Sequence, residues 1–192
     1  MSKAKMTTRA IAYAAVSTAL VTAFTLMGFS SAQFYFNLGD TIILLVSALC
    51  GPVVGAIAGG LGSFFADLAV YPMTMVYTLI IKGIEGFLCG FFLSLLRKKT
   101  SGKKRLILSG VVMLLSACEM VAGYFLCQSL FYGSVKTALI ALPMDAVQGT
   151  VSFTLSFVIL FLFKLDNVRE RFDLDFQQYK AKKNPEKEDK ES

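Results

Sequence analysis

Hydrophobic residues run along this chain in long blocks, and the charges fall between them. Six apolar segments can be placed, at 9–28, 38–50, 51–70, 75–96, 105–128 and 145–164. The charges collect at 3–9, 97–105 and 164–192. A helix that crosses the hydrocarbon core of a bilayer needs about 20 mostly apolar residues. The pattern therefore predicts a bundle of membrane-spanning helices. The second segment is too short to cross alone as a straight helix, and the less regular stretch 29–37 before it could complete it. Non-helical backbone at membrane depth has to be buried in protein or line a cavity. The sequence FNLGD, 36–40, marks this junction. Gly39 is a helix breaker there, and Asp40 is placed to cap the helix that follows.

Composition agrees with the pattern. The chain has 192 residues, of which 55% are hydrophobic and 17% charged, and its mean hydropathy is +0.63. A soluble domain is typically about 45–50% apolar and about 25% charged. The fold class expected is an all-α integral membrane protein, a six-transmembrane-helix bundle over residues 1–165. Residues 166–192 read as a polar cytoplasmic tail. The first apolar segment shows no A-x-A-like cleavage site, which argues against a secretory signal peptide.

Charge gives the orientation. Lys3, Lys5 and Arg9 precede the first segment, RKKTSGKKR (97–105) joins the fourth and fifth, and Lys164, Arg169 and Arg171 follow the sixth. The loops 29–37, 71–74 and 129–144 hold one basic residue, Lys136. With six crossings all three basic clusters share one side, the cytoplasm by the positive-inside rule, and both termini lie there. The net charge of +6 is thus a topology signal and does not indicate a nucleic-acid partner.

Several chemistries drop out. The chain has no His, and its four cysteines (Cys50, Cys89, Cys118, Cys127) lie in apolar stretches without CxxC spacing. No metal site, His-based triad or cofactor is expected. There is no G-x-x-x-x-G-K-[ST], so the chain carries no phosphate loop for ATP. Small residues instead lie in rows. Gly51, Gly55 and Gly59 are four apart, as are Ala58, Gly62 and Ala66, and Ala15 and Ala19. In lipid such rows let helices approach closely, either within the bundle or against another subunit.

Ionisable residues inside spans are functional candidates by default. They are Asp40, Asp67, Lys82, Glu85, Glu119 and Asp145, with Gln148 beside the last. Each has a plainer reading. Lys82 and Glu85, three apart, share a helix face and can neutralise each other. Asp67 can pair with Lys82, and Asp40 and Asp145 can be N-caps. Their common depth favours a pocket. All but Glu119 map to the outer half of the bundle, near Asn37 and the aromatics Phe34, Tyr35, Phe36, Tyr71 and Tyr77. Aromatic walls with a few convergent polar groups suit a small, flat, polar molecule. The substrate-binding set expected is Asn37, Asp40, Asp67, Tyr71, Lys82, Glu85, Glu119 and Gln148.

The segments FNLGDTIILLVSALCGPVVGAIAGGLGSFFADL (36–68) and YTLIIKGIEGFLCGFF (77–92), with the alanine strip Ala15-x-x-x-Ala19, carry a family resemblance. Across residues 7–165 the chain resembles the S components of energy-coupling factor (ECF) vitamin importers, in the branch with riboflavin-type and hydroxymethylpyrimidine-type subunits. The resemblance implies a six-helix membrane subunit of the plasma membrane that binds a vitamin or precursor in an outward-facing pocket. It implies as partners a transmembrane coupling subunit, met through Ala15 and Ala19, and two cytoplasmic ATPases. It implies that the loop 29–37 acts as a gate. Among ligands, the acids, amides and single Lys favour hydroxymethylpyrimidine, with pyridoxine and riboflavin as alternatives. A self-sufficient transporter driven by protons or sodium through Glu119 or Asp67 is a rival reading, although no repeat relates 1–96 to 97–165. An enzyme using Asp67, Glu85 or Glu119 lacks both a His and a nucleophile motif.

Overall fold

Close approach between glycine-bearing helix faces organises the bundle. In the computed structural model, which describes residues 8–31 and 34–163, α3 (Pro52–Val70) lies between α1 (Thr8–Leu26) and α4 (Met75–Lys99). A Cβ added at Gly55 of α3 would stand 2.8 Å from the Gly86 carbonyl oxygen of α4, and one at Gly90 would stand 2.7 Å from Pro52 Cα. On the other side of α3, a Cβ at Gly62 would meet Val21 Cβ of α1 at 2.7 Å. Real Cβ atoms do not come so near, so only glycine permits these backbones to touch. The row containing Gly55 and Gly59 thus faces α4. In the second row Gly62 faces α1, and Ala58 and Ala66 beside it are fully buried. Both rows serve packing within the bundle.

The remaining elements are a hairpin of β1 (Phe29–Ser31) and β2 (Phe34–Phe36), then α2 (Gly39–Cys50), α5 (Gly102–Phe131) and α6 (Val135–Leu162). The strands are antiparallel, with Phe29 opposite Phe36. Helix α3, α4, α5 and α6 are each long and apolar enough to cross a membrane, and α1 and α2 are shorter apolar helices. The chain is a multi-pass membrane protein. At about 1.5 Å per residue, α2 spans only about 18 Å, well short of a bilayer core of about 30 Å. It is instead the central helix, packed against α1, α3, α4 and α6. Its Ile43 and Val46 join Val21, Val54 and Ala58 in one apolar cluster. Its Leu44 and Ala48 join Cys89, Leu93, Met113 and Leu160 in another. Gly51, at φ 90°, turns the chain from α2 straight into α3, and Pro52 starts the new helix where its missing N–H costs nothing.

Four expectations are corrected. The stretch 29–37 is not irregular in its described part, since 29–31 and 34–36 form the β-hairpin, which pairs the backbone groups that face each other. The loop 129–144 shrinks to Tyr132–Ser134, because α5 runs on to Phe131 and α6 starts at Val135. Pro143 sits inside α6 without ending it; neighbouring helices can stabilise a transmembrane helix that has lost one backbone bond. Lys136 therefore lies in the first turn of α6, and Asp145 lies deep within α6. Asp145 is no N-cap; Ser134 Oγ does that work by accepting the Thr137 N–H at 3.4 Å. Nor is Asp40 the cap of α2. The Gly39 N–H is taken at 2.9 Å by Asn37 Oδ1, which frees the Asp40 carboxylate for other partners. The polar tail 166–192 lies outside the described residues.

Candidate ligand site

The carboxylate of Asp40, on the first turn of α2, points into the bundle and is 1% exposed. Its Oδ1 accepts from Lys82 Nζ of α4, and its Oδ2 accepts from Gln148 Nε2 of α6 at 2.8 Å. Lys82 Nζ also reaches Glu85 Oε2, one turn further along α4, at 3.3 Å. Gln148 Oε1 in turn accepts the backbone N–H of Asn37 at 3.1 Å and its side-chain Nδ2 at 3.4 Å. Asn37 directly follows β2. Five of the eight residues expected at the site thus form one buried network that joins α2, α4, α6 and the foot of the hairpin.

An aromatic wall stands beside it. Lys82 Nζ lies 5.2 Å from the ring centroid of Tyr124 on α5, within cation–π range. Tyr77 meets Tyr124 edge to face at 6.0 Å, and Tyr124 Oη and Thr78 Oγ1 are 3.3 Å apart. Tyr124 was not among the candidates of the sequence. The signal was present, for it is a tyrosine five residues beyond Glu119 in the apolar stretch of α5. The side chains of Phe34 and Tyr35 are outside the described residues.

Glu119 on α5 and Asp145 on α6 form no ion pair with the network, but the charge of each interacts with that of Lys82. Both are partly buried, and Glu119 Oε2 and Asp145 Oδ2 are buried oxygens without a hydrogen-bond partner. Glu85 is fully buried, and its second oxygen, Oε1, also lacks a partner. Asp67 is buried near the end of α3, where Oδ2 accepts from Thr74 Oγ1 at 2.7 Å, and its charge also interacts with that of Lys82. Lys82 forms its ion pairs with Asp40 and Glu85, so Asp67 is not its salt-bridge partner. Tyr71, just past α3, is 52% exposed and does not reach the network. Among the described residues no cluster of three His, Cys, Asp or Glu side chains forms a metal site.

The alanine strip lies elsewhere. Ala15 and Ala19 are exposed on α1 and line a groove of about 670 Å³ whose far wall is Ile57, Leu61 and Phe65 of α3. Bound ligand and helix docking thus have separate candidate surfaces.

Comparison with known proteins adds an independent line. The family described as "ECF-type riboflavin transporter, S component" matches residues 5–164. The thiamine precursor transporter HmpT of Lactococcus lactis subsp. cremoris (strain MG1363) is 35% identical over 130 residues, 67% of this chain and 69% of that protein. A protein of Pyrococcus woesei described as "Uncharacterized protein in gap 3'region" is 42% identical over 103 residues. That match covers 54% of this chain and 65% of the Pyrococcus protein.

Proposed function

Because the chain belongs to the family of ECF-type riboflavin transporter S components, we propose that it captures a small vitamin or vitamin precursor for an ECF importer, and that this ligand is hydroxymethylpyrimidine. The observation that carries the ligand assignment is the buried network itself. It holds one Lys beside an aromatic wall and keeps one acceptor, Glu85 Oε1, without a donor. Such a site suits a small ring that offers donors. The likeness to a thiamine precursor transporter points the same way. Riboflavin is the second reading, favoured by the family's description.

Energy has to come from outside the chain, since the sequence has no phosphate loop. In this reading a transmembrane coupling subunit docks at Ala15 and Ala19 and two cytoplasmic ATPases drive it. Both termini face the cytoplasm, and Asn37, Asp40, Lys82 and Gln148 lie toward the outer face. Purified protein should carry its ligand, which mass spectrometry of the released small molecules identifies. Added hydroxymethylpyrimidine should raise the unfolding temperature, because a ligand that binds only the native state stabilises it by mass action. If no vitamin or precursor does so, the reading fails.

A further inference from the structure

Six cations and no acid stand in the nine residues 97–105, where α4 ends and α5 begins. Orientation in the membrane accounts for cations on this side of the bundle. It does not account for where each one sits. Arg97, Lys98 and Lys99 fall in the last turn of α4, where the helix dipole favours positive charge. Arg97 reaches across to α2, and its Nη2 donates to the Ala48 carbonyl at 3.4 Å. Lys103, Lys104 and Arg105 fall in the first turn of α5, where the same dipole opposes them. That turn has no acidic residue, and its N-cap, Ser101, makes no side-chain capping bond. Lys99, Lys103 and Lys104 are exposed, and among the described residues none of the three makes an ion pair. Positive charge thus gathers at the start of α5 without an acid beside it in the sequence to offset it.

Neighbouring side chains set the depth of this patch. Leu95 on α4 and Ile107 on α5, about one turn further into the bundle, are exposed and apolar, which suits acyl chains. The three lysines therefore lie where hydrocarbon gives way to headgroups. The turn between the helices is also open, for a Cβ added at Gly102 would meet no neighbouring atom within 4 Å. We propose that the α4–α5 turn is a docking surface for anionic phospholipids of the cytoplasmic leaflet, with the headgroup phosphate received by Lys99, Lys103 and Lys104. Charge complementarity selects the occupant, since clusters of cations just cytoplasmic of a spanning helix attract anionic headgroups. An acidic protein segment would match the charge but not the apolar residues directly beneath it. The surface lies at the opposite end of the bundle from the Asp40 network and does not depend on which vitamin is bound.

The test uses the full chain in detergent and follows bound lipid by native mass spectrometry, with phosphatidylglycerol and phosphatidylcholine as probes. Each lysine near an anionic headgroup is worth up to about fivefold in affinity, so phosphatidylglycerol should bind at least about tenfold more tightly. Lys99→Gln, Lys103→Gln and Lys104→Gln together should cut that preference to below about twofold. Arginine at the same three positions should keep it; loss there as well would trace the effect to the fold and overturn the proposal. Lys3→Gln, Lys5→Gln and Arg9→Gln together remove the same charge elsewhere on the cytoplasmic face and should leave the preference intact. Equal binding of both lipids by the parent, a preference that survives in the glutamine variant, or equal loss in both sets of variants would each overturn the proposal. Glycerol 3-phosphate carries the phosphate without acyl chains and should not displace phosphatidylglycerol. Displacement would make the turn a site for a soluble anion instead. Loss of a co-purifying protein from the glutamine variant, with the lipid preference unchanged, would assign the turn to a protein partner and overturn the proposal too.

Discussion

Gln148 Nε2 donates to Asp40 Oδ2 at 2.8 Å, across 108 residues of sequence, and the same amide's Oε1 holds the backbone N–H of Asn37. One side chain on α6 therefore fixes both the start of α2 and the strand end that leads into it. Whatever enters the site meets a frame whose parts are already mutually satisfied.

The first expected outcome concerns that amide. Gln148→Leu would leave the Asn37 N–H and Asp40 Oδ2 without partners in a water-poor interior. Each unsatisfied group costs about 1–3 kcal/mol, so the variant should lose at least that much stability. Gln148→Glu should be worse, since it sets a second carboxylate against Asp40. Thermal unfolding in detergent would measure both. A Leu variant as stable as the parent would show that the amide does not hold the frame.

The buried ion pair gives a sharper case. Lys82→Met removes the cation shared by Asp40 and Glu85 and strands two carboxylates. Breaking one side of a buried pair typically costs about 3–5 kcal/mol. Adding Asp40→Leu to Lys82→Met should recover part of that loss, because the stranded charge goes with it. A double-mutant cycle on unfolding reads the coupling directly. If the two substitutions were additive, the pair would not be coupled as its geometry says.

Legibility in the sequence followed the physics of each feature. Apolar blocks and basic clusters are one-dimensional signals, so six helices and their order were readable from them. Asp40, Lys82, Glu85, Gln148 and Asn37 were found as candidates because an ionisable or amide group in a span stands out against lipid-compatible neighbours. Their pairing was not readable, since Asp40 meets Lys82 and Gln148 only after α2, α4 and α6 pack. A local reading offered Asp40 as a cap and Asp67 as the partner of Lys82. Tertiary geometry chose otherwise. The sixth segment was placed from 145, whereas α6 starts at Val135 and carries Pro143 inside it, where packing against neighbouring helices decides that the helix continues.

Glycine packing between α3 and α4 leads to a third outcome. At Gly86 a Cβ would fall 2.6 Å from the Gly55 carbonyl carbon, and the opposing atoms are backbone that cannot rotate away. Gly86→Val should push α4 off α3, with an overpacking cost of about 1–3 kcal/mol or more. It should also weaken ligand binding, since Lys82 and Glu85 ride on the same helix. Monodispersity after detergent extraction and the unfolding temperature would show it. Normal values for both would mean that the helices are not held at this distance.

The alanine strip should behave in the opposite way, and the contrast tests the division of surfaces. Ala15 and Ala19 are exposed, so Ala15→Leu with Ala19→Leu adds side chains to the α1–α3 groove without entering the core. Exposed substitutions of this kind usually change stability by less than about 0.5 kcal/mol. The double variant should therefore fold and bind its ligand as the parent does. A filled groove no longer accepts a closely packed helix, because association in lipid depends on small residues that let backbones meet. Co-purification with a transmembrane coupling subunit should fall, and uptake with it. Loss of ligand binding in this variant would join the groove to the buried network through α1 and α3. Retained co-purification would place the docking face elsewhere on the bundle.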